Sequence, residues 1–196
     1  MNTLVKSSSG IQQISVDSML LSQRKIFIEG EINPESACEF VKALMVLNAE
    51  DTNKYIDCFV NSPGGEMNSG LLIYDAIQSS RAPVRLFCIG RAYSMGAVLF
   101  ACGRHGRYIL PHGELMLHEP LLGNRIGGNS SSIQSISKSL LEMKRMMNRI
   151  LAGHIGRSEK EVEKMTGHED HYFNAEECVK AGLADEIVDF AKLLEG

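Results

Sequence analysis

Between Lys25 and Leu117 the hydrophobic period of the chain switches repeatedly, and this alternation limits the fold more than any other feature. KIFIEG, YIDCFV and VRLFCI are short apolar runs of the kind that form buried strands. Between the first two, PESACEFVKALMVLN sets Ala37, Phe40, Leu44 and Leu47 on one helical face. NSGLLIYDAIQSS does the same with Leu72, Ile73, Ala76 and Ile77. The turn NSPGG follows the second strand, a segment around Ser94 follows the third, and two short strands, RYIL and ELML, complete the series. Strands alternating with helices predict an α/β layer architecture with parallel strands. A chain of 196 residues suits one compact domain better than two.

The second half follows a different period. Ile133, Ile136, Leu140, Met143, Met147, Ile150 and His154 recur at spacings of three and four, which predicts one long amphipathic helix over 130–155. Its stripe reads as a packing face, and its length predicts an oligomer interface as well as a core face. Ser158 with Glu161, and Asn174 with Glu177, have capping-box spacing, and Gly182 is placed to end the second of these helices. GGNSSS at 127–132 reads as a flexible polar link. The first 20 or so residues are polar and serine-rich, an N-terminal segment expected to be mobile unless a partner holds it.

A net charge of −4 with no block of Lys and Arg argues against nucleic acid as a partner. No stretch reaches the ~18–20 apolar residues of a membrane span, and MNTLVKSSSG has no apolar signal region, so a soluble, cytoplasmic protein is expected. Five widely spaced cysteines without C-x-x-C read as reduced core residues.

Ser94 lies in IGRAYSMGA, after an apolar run and before the helical MGAVLFACG. Serine there is either a helix N-cap or a nucleophile. A nucleophile needs a base and a carboxylate that orients the base. His118 ends the strand ELML, where a side chain can face a cleft, although a structural role is the ordinary alternative. His168-Glu169-Asp170-His171 offers acids; it is not H-E-x-x-H and has no second cluster to complete a ligand set, so no metal site is expected. Gly64 and Gly65 at one strand end, and Gly90 and Gly96 around Ser94, leave backbone N–H groups unshielded, which suits an oxyanion hole. Ala92 replaces the first glycine of G-x-S-x-G and the histidine precedes the acid, an order that disfavours an α/β-hydrolase.

Taken together and in order, these segments resemble the proteolytic subunit family of the Clp protease, ClpP. The likeness runs from about Lys25 to Val188 and rests on NSPGG followed by GLLIYDAIQ, then GRAYSMGA, LPHGELMLHEP and HEDHYFNAEECVKAGLADEIV. It implies a ClpP/crotonase fold of stacked ββα units, with residues 1–23 as an axial segment and 24–196 as the peptidase domain. Residues 124–155 would form a protruding handle. It further implies a serine endopeptidase with Ser94 as nucleophile, His118 as base, Asp170 as orienting carboxylate, and the Gly65 and Met95 amides as oxyanion hole. Two stacked heptameric rings would enclose unfolded polypeptide substrates fed by an AAA+ unfoldase. That partner uses ATP, and the chain itself needs no cofactor.

Several positions depart from the family pattern. Arg91-Ala92-Tyr93 replaces Gln-Ala-Ala before the serine, Glu119 replaces Gln after the histidine, and Gly128-Asn129-Ser130-Ser131-Ser132 replaces the handle's usual Gly-Gln-Ala-Thr-Asp. His168-Glu169 replaces an acid and an Arg before Asp170, which makes both residues candidates for an inter-ring contact. These departures suggest a paralogue with restrained or partner-dependent activity, possible in homogeneous or mixed rings. One alternative is a weakly active subunit that regulates a partner ring. Another is a crotonase-type acyl-CoA enzyme, which needs no Ser-His-Asp.

Overall fold

A computed structural model of the chain describes residues 1–7, 10–123 and 128–194. It opens with an antiparallel hairpin, β1 (Asn2–Ser7) and β2 (Gly10–Ser15), followed by α1 (Val16–Ser22). The sequence reading assigned no element there, because the hairpin has no long apolar alternation to announce it. Then come β3 (Lys25–Ile32), α2 (Pro34–Glu50), β4 (Ile56–Gly65), α3 (Met67–Ser79), β5 (Val84–Tyr93) and α4 (Met95–Ala101). The remainder is β6 (Arg107–Ile109), β7 (Glu114–Leu117), α5 (Ser130–Ile155), α6 (Glu159–Met165), β8 (His171–Asn174), α7 (Ala175–Ala181), β9 (Glu186–Ile187) and a closing 3₁₀ turn, Phe190–Leu194.

Strands β3, β4, β5, β6 and β9 pair in that order, all parallel, which gives the α/β class expected from the alternation. β5 divides its pairing. Leu86–Cys88 bond β6, whereas Arg91–Tyr93 bond β7, and β7 in turn pairs antiparallel with β8. The far end of β5 is thereby directed toward a second set of strands, and Ser94 follows immediately.

Alternating residues of β4 serve two cores. Ile56, Cys58 and Val60 meet the helices, with Phe40 and Leu44 of α2 and Ile73 and Ile77 of α3. Phe59 belongs to the opposite face, where Phe27, Phe59, Phe87 and Tyr108 form a row across four strands with ring centroids 5.1, 5.3 and 4.9 Å apart. Leu193 of the closing turn covers this row, and Lys25 Nζ donates to its carbonyl at 2.9 Å. Burying side chains of this size stabilises the fold by roughly 1.5–3 kcal/mol each.

Three expectations change. NSPGG is not a turn but the end of β4, because a register shift lets Gly64 and Gly65 continue alongside Glu31 and Ile32. Leu72 lies 42% exposed, since α3 buries the stripe through Ser69, Gly70, Ile73 and Ile77. The long helix has the predicted bounds, but its buried residues are Met147, Asn148, Leu151, Ala152 and Ile155, all toward its C-terminal end. Ile133 is 47% exposed and Leu140 only half-buried, so the stripe is a core face over only part of its length. Residues 124–127, where the handle is expected to begin, lie outside the described residues. Both capping boxes form, and Gly182 ends α7 in the left-handed conformation.

Candidate active site

Ser94 joins β5 to α4 with φ 53° and ψ −120°, one of two non-glycine residues with positive φ among those described. Such a conformation costs about 1–3 kcal/mol and persists only where its surroundings over-determine it. Here they do. The Ser94 amide donates to the Met116 carbonyl at 2.8 Å, while Ala97 and Val98 donate back to the Ser94 carbonyl at 3.0 and 3.2 Å. From the other side, the backbone of Gly64 presses on the bend. A Cβ there would lie 2.6 Å from the Tyr93 carbonyl oxygen and 2.8 Å from Ser94 Cβ, and φ is already 91°. Ser62 Oγ accepts from the Gly64 amide at 3.0 Å and donates to the Gly30 carbonyl at 2.6 Å, fixing that approach.

A capping role and a nucleophilic one place the hydroxyl differently. Ser94 stands at the N-cap position of α4, yet its side chain makes no capping bond. Its Oγ lies 2.8 Å from Nε2 of His118 instead. With the proton on Nδ1, the imidazole accepts from the hydroxyl, the arrangement a general base requires.

The third expected residue is in a different state. β7 and β8 pair with Leu117 opposite His171, so one further step of that register sets His118 opposite Asp170. The Asp170 carboxylate nevertheless makes no hydrogen bond with His118. It is exposed, with the Tyr172 hydroxyl 3.5 Å from Oδ2. The structure therefore assembles a Ser94–His118 pair and leaves the acid beside it.

Ser94, His118, Gly65 and Met95 open onto a cavity of about 730 Å³, within the range of small-molecule and peptide-side-chain sites. Met95 is the first residue of α4, where a helix leaves N–H groups without intrahelical acceptors. The far wall is apolar, built from Val98, Leu121 and the α5 residues Leu140, Met143 and Met147. The central part of the predicted interface stripe thus lines the cavity.

A family model described as Clp protease matches residues 8–191. The chain belongs to the Clp protease family. The mixed α/β fold with its mostly parallel sheet agrees with that membership, and the chain is a ClpP-like peptidase. No helix among the described residues is long and apolar enough to cross a membrane.

Against the Clp protease pattern, the substituted positions acquire specific partners. Glu119 accepts from Lys144 Nζ of α5 at 2.8 Å, and its amide donates to the Gly167 carbonyl at 3.2 Å. That lysine holds the Glu119 carboxyl below its ordinary value, and Glu119 in turn raises Lys144. Glu163 of α6 is a second, longer contact of Lys144 at 3.6 Å. Tyr93, next to Ser94, turns away from the serine and donates its hydroxyl to Glu114 at 2.5 Å, a bond that pushes the phenol up to about 12. His168 and Glu169, the inter-ring candidates, are both exposed and 4.0 Å apart.

Sequence reasoning passed over Tyr172 and Lys144. The period of two in ELMLH and DHYFN puts Glu114, Met116 and His118 on one face and Asp170 and Tyr172 on another. Only the pairing of the two strands brings these faces together. The cysteines are all free, but Cys38 is exposed rather than buried. Burial pushes the Cys88 and Cys178 thiols up to about 11 and 12.

Proposed function

We propose that the chain is a Clp protease proteolytic subunit acting as a serine endopeptidase on unfolded polypeptide. Ser94 is the nucleophile, His118 the general base, and Asp170 the carboxylate that orients His118 in the active arrangement. The reading is carried by the 2.8 Å approach of Ser94 Oγ to His118 Nε2 at a strained bend beside an apolar cavity. Nε2 takes the hydroxyl proton as Oγ attacks the scissile carbonyl carbon. The developing oxyanion is stabilised by the Gly65 and Met95 amides. His118 then returns the proton to the leaving amine, and water repeats the sequence on the acyl-enzyme. In keeping with its family, the chain would work in stacked heptameric rings fed by an ATP-driven unfoldase. Ser94→Ala abolishes peptide turnover and Asp170→Asn lowers kcat by orders of magnitude, while a metal chelator has no effect. Turnover that survives Ser94→Ala would refute the assignment.

A second reading, a subunit that needs a partner ring for full activity, is favoured by the separation of Asp170 from His118 and by the acid at Glu169. Symmetry-related glutamates at a ring contact would repel unless a cation lies between them. Glu169→Arg, or mixing with an Arg-bearing paralogue, then raises Ser94-dependent peptidase activity. Full activity of the unmixed wild type, with no gain from either change, would contradict this reading.

A further inference from the structure

Two tyrosines in contact stand beside Asp170. Tyr93, Met116 and Tyr172 occupy one line across β5, β7 and β8, since Tyr93 pairs with Met116 and Met116 with Tyr172. The two tyrosine rings meet edge to face above that line, with centroids 5.8 Å apart and planes at 88°. Tyr93 is fixed at both ends. Its hydroxyl donates to Glu114 of β7, and the Arg91 guanidinium stands 5.8 Å from its ring. Tyr172 is itself 53% exposed, rests on that ring by its edge contact, and brings its hydroxyl to 3.5 Å from Asp170 Oδ2.

We infer that Tyr172, held by Tyr93, is a positioning residue that withholds Asp170 from His118. Two donors compete for one carboxylate: the Tyr172 O–H two residues along the chain, and the Nδ1–H of His118 across the strand pair. In the arrangement described here the phenol stands 3.5 Å from Oδ2, and His118 makes no bond to the carboxylate. Activation exchanges one hydrogen bond for the other, without forming or breaking a covalent bond, and the strand register already aligns the residues for it. The inference rests on the catalytic roles given above and deepens them, since it assigns what controls entry of the acid.

The test uses the full chain and a fluorophosphonate probe, with labelling of Ser94 followed from pH 5 to 9. Tyr172→Phe removes the competing hydroxyl and keeps the ring. It is expected to label Ser94 at least about tenfold faster, part of the roughly 10⁴-fold that an orienting carboxylate contributes in such triads. A carboxylate bonded to Nδ1–H favours the imidazolium, so the acid limb of the labelling profile moves to higher pH. A purely structural role for Tyr172 would not move that limb. The gain must also vanish in Asp170→Asn/Tyr172→Phe. Tyr93→Phe, which frees the ring from Glu114 while keeping the edge contact, gives a smaller gain of the same sign. Equal labelling of wild type and Tyr172→Phe, or a gain that persists without Asp170, would overturn the inference and leave the nucleophile assignment intact. Absence of Ser94 labelling in every variant would overturn both.

Discussion

Strain at Ser94 dictates what its neighbours are allowed to be. A positive φ on a serine is held because the Gly64 backbone lies against the bend and the Met116 carbonyl takes the Ser94 amide. Gly64→Ala would force a Cβ into that contact at a φ that L side chains rarely adopt, at a cost of about 1–3 kcal/mol. The expected result is a Tm lower by several degrees together with slower acylation of Ser94, because the bend relaxes away from His118. Calorimetry and a stopped assay on the same sample check both. Ser94 and His118 stood out in sequence as candidates because each follows a strand, although their roles came only from the family resemblance; the structure brings the two side chains together. The orientation of Asp170 was not legible, since it depends on which of two hydrogen-bond donors holds one carboxylate. If the inference above holds, wild-type turnover would report the fraction of chains in which His118 is that donor.

At the scale of elements, α5 turns only some of its apolar residues toward the rest of the chain. Its helical period was readable in the sequence, but which neighbour each position meets depends on where the helix crosses α4 and α6. Leu140, Met143 and Met147 line the cavity, whereas Ile133 and Leu141 are 47% and 52% exposed. Leu140→Asp is therefore expected to lower peptide turnover at least tenfold, about 1.4 kcal/mol in the barrier, with an unchanged sedimentation profile. Ile133→Asp combined with Leu141→Asp is expected to shift that profile toward smaller assemblies. The reverse pattern would show that the stripe is assigned to the wrong faces. The same helix is tied to the residue after the base by Lys144 and Glu119. Because the Glu119 value is depressed from 4.5, the pair contributes fully above that ordinary value and is lost as pH falls through the lowered one. The Lys144 value is raised from 10.5, so the contribution is also lost at strongly alkaline pH. Lys144→Met should accordingly reduce Tm at pH 7, with a difference from wild type that narrows toward pH 3.5. A Tm difference independent of pH would place the stabilisation in packing of the lysine stem instead.

For the whole molecule, the alternation between Lys25 and Leu117 conveyed the parallel sheet, and linked motifs conveyed the family. The N-terminal hairpin stayed hidden because its strands carry no apolar alternation, and the split pairing of β5 because it is set by strands elsewhere in the chain. That split is what assembles the candidate site. It sends one half of β5 into the packed body and the other toward β7 and β8, so that Ser94, His118 and the Asp170 segment converge from three separate stretches of chain. The claim that this convergence is a serine peptidase site is tested most directly by mapping the adduct formed with a fluorophosphonate. Intact-mass analysis and peptide mapping should find a single adduct on Ser94, absent in Ser94→Ala and formed far more slowly in His118→Ala. An adduct at another serine, or labelling of Ser94 at the same rate without His118, would contradict the account.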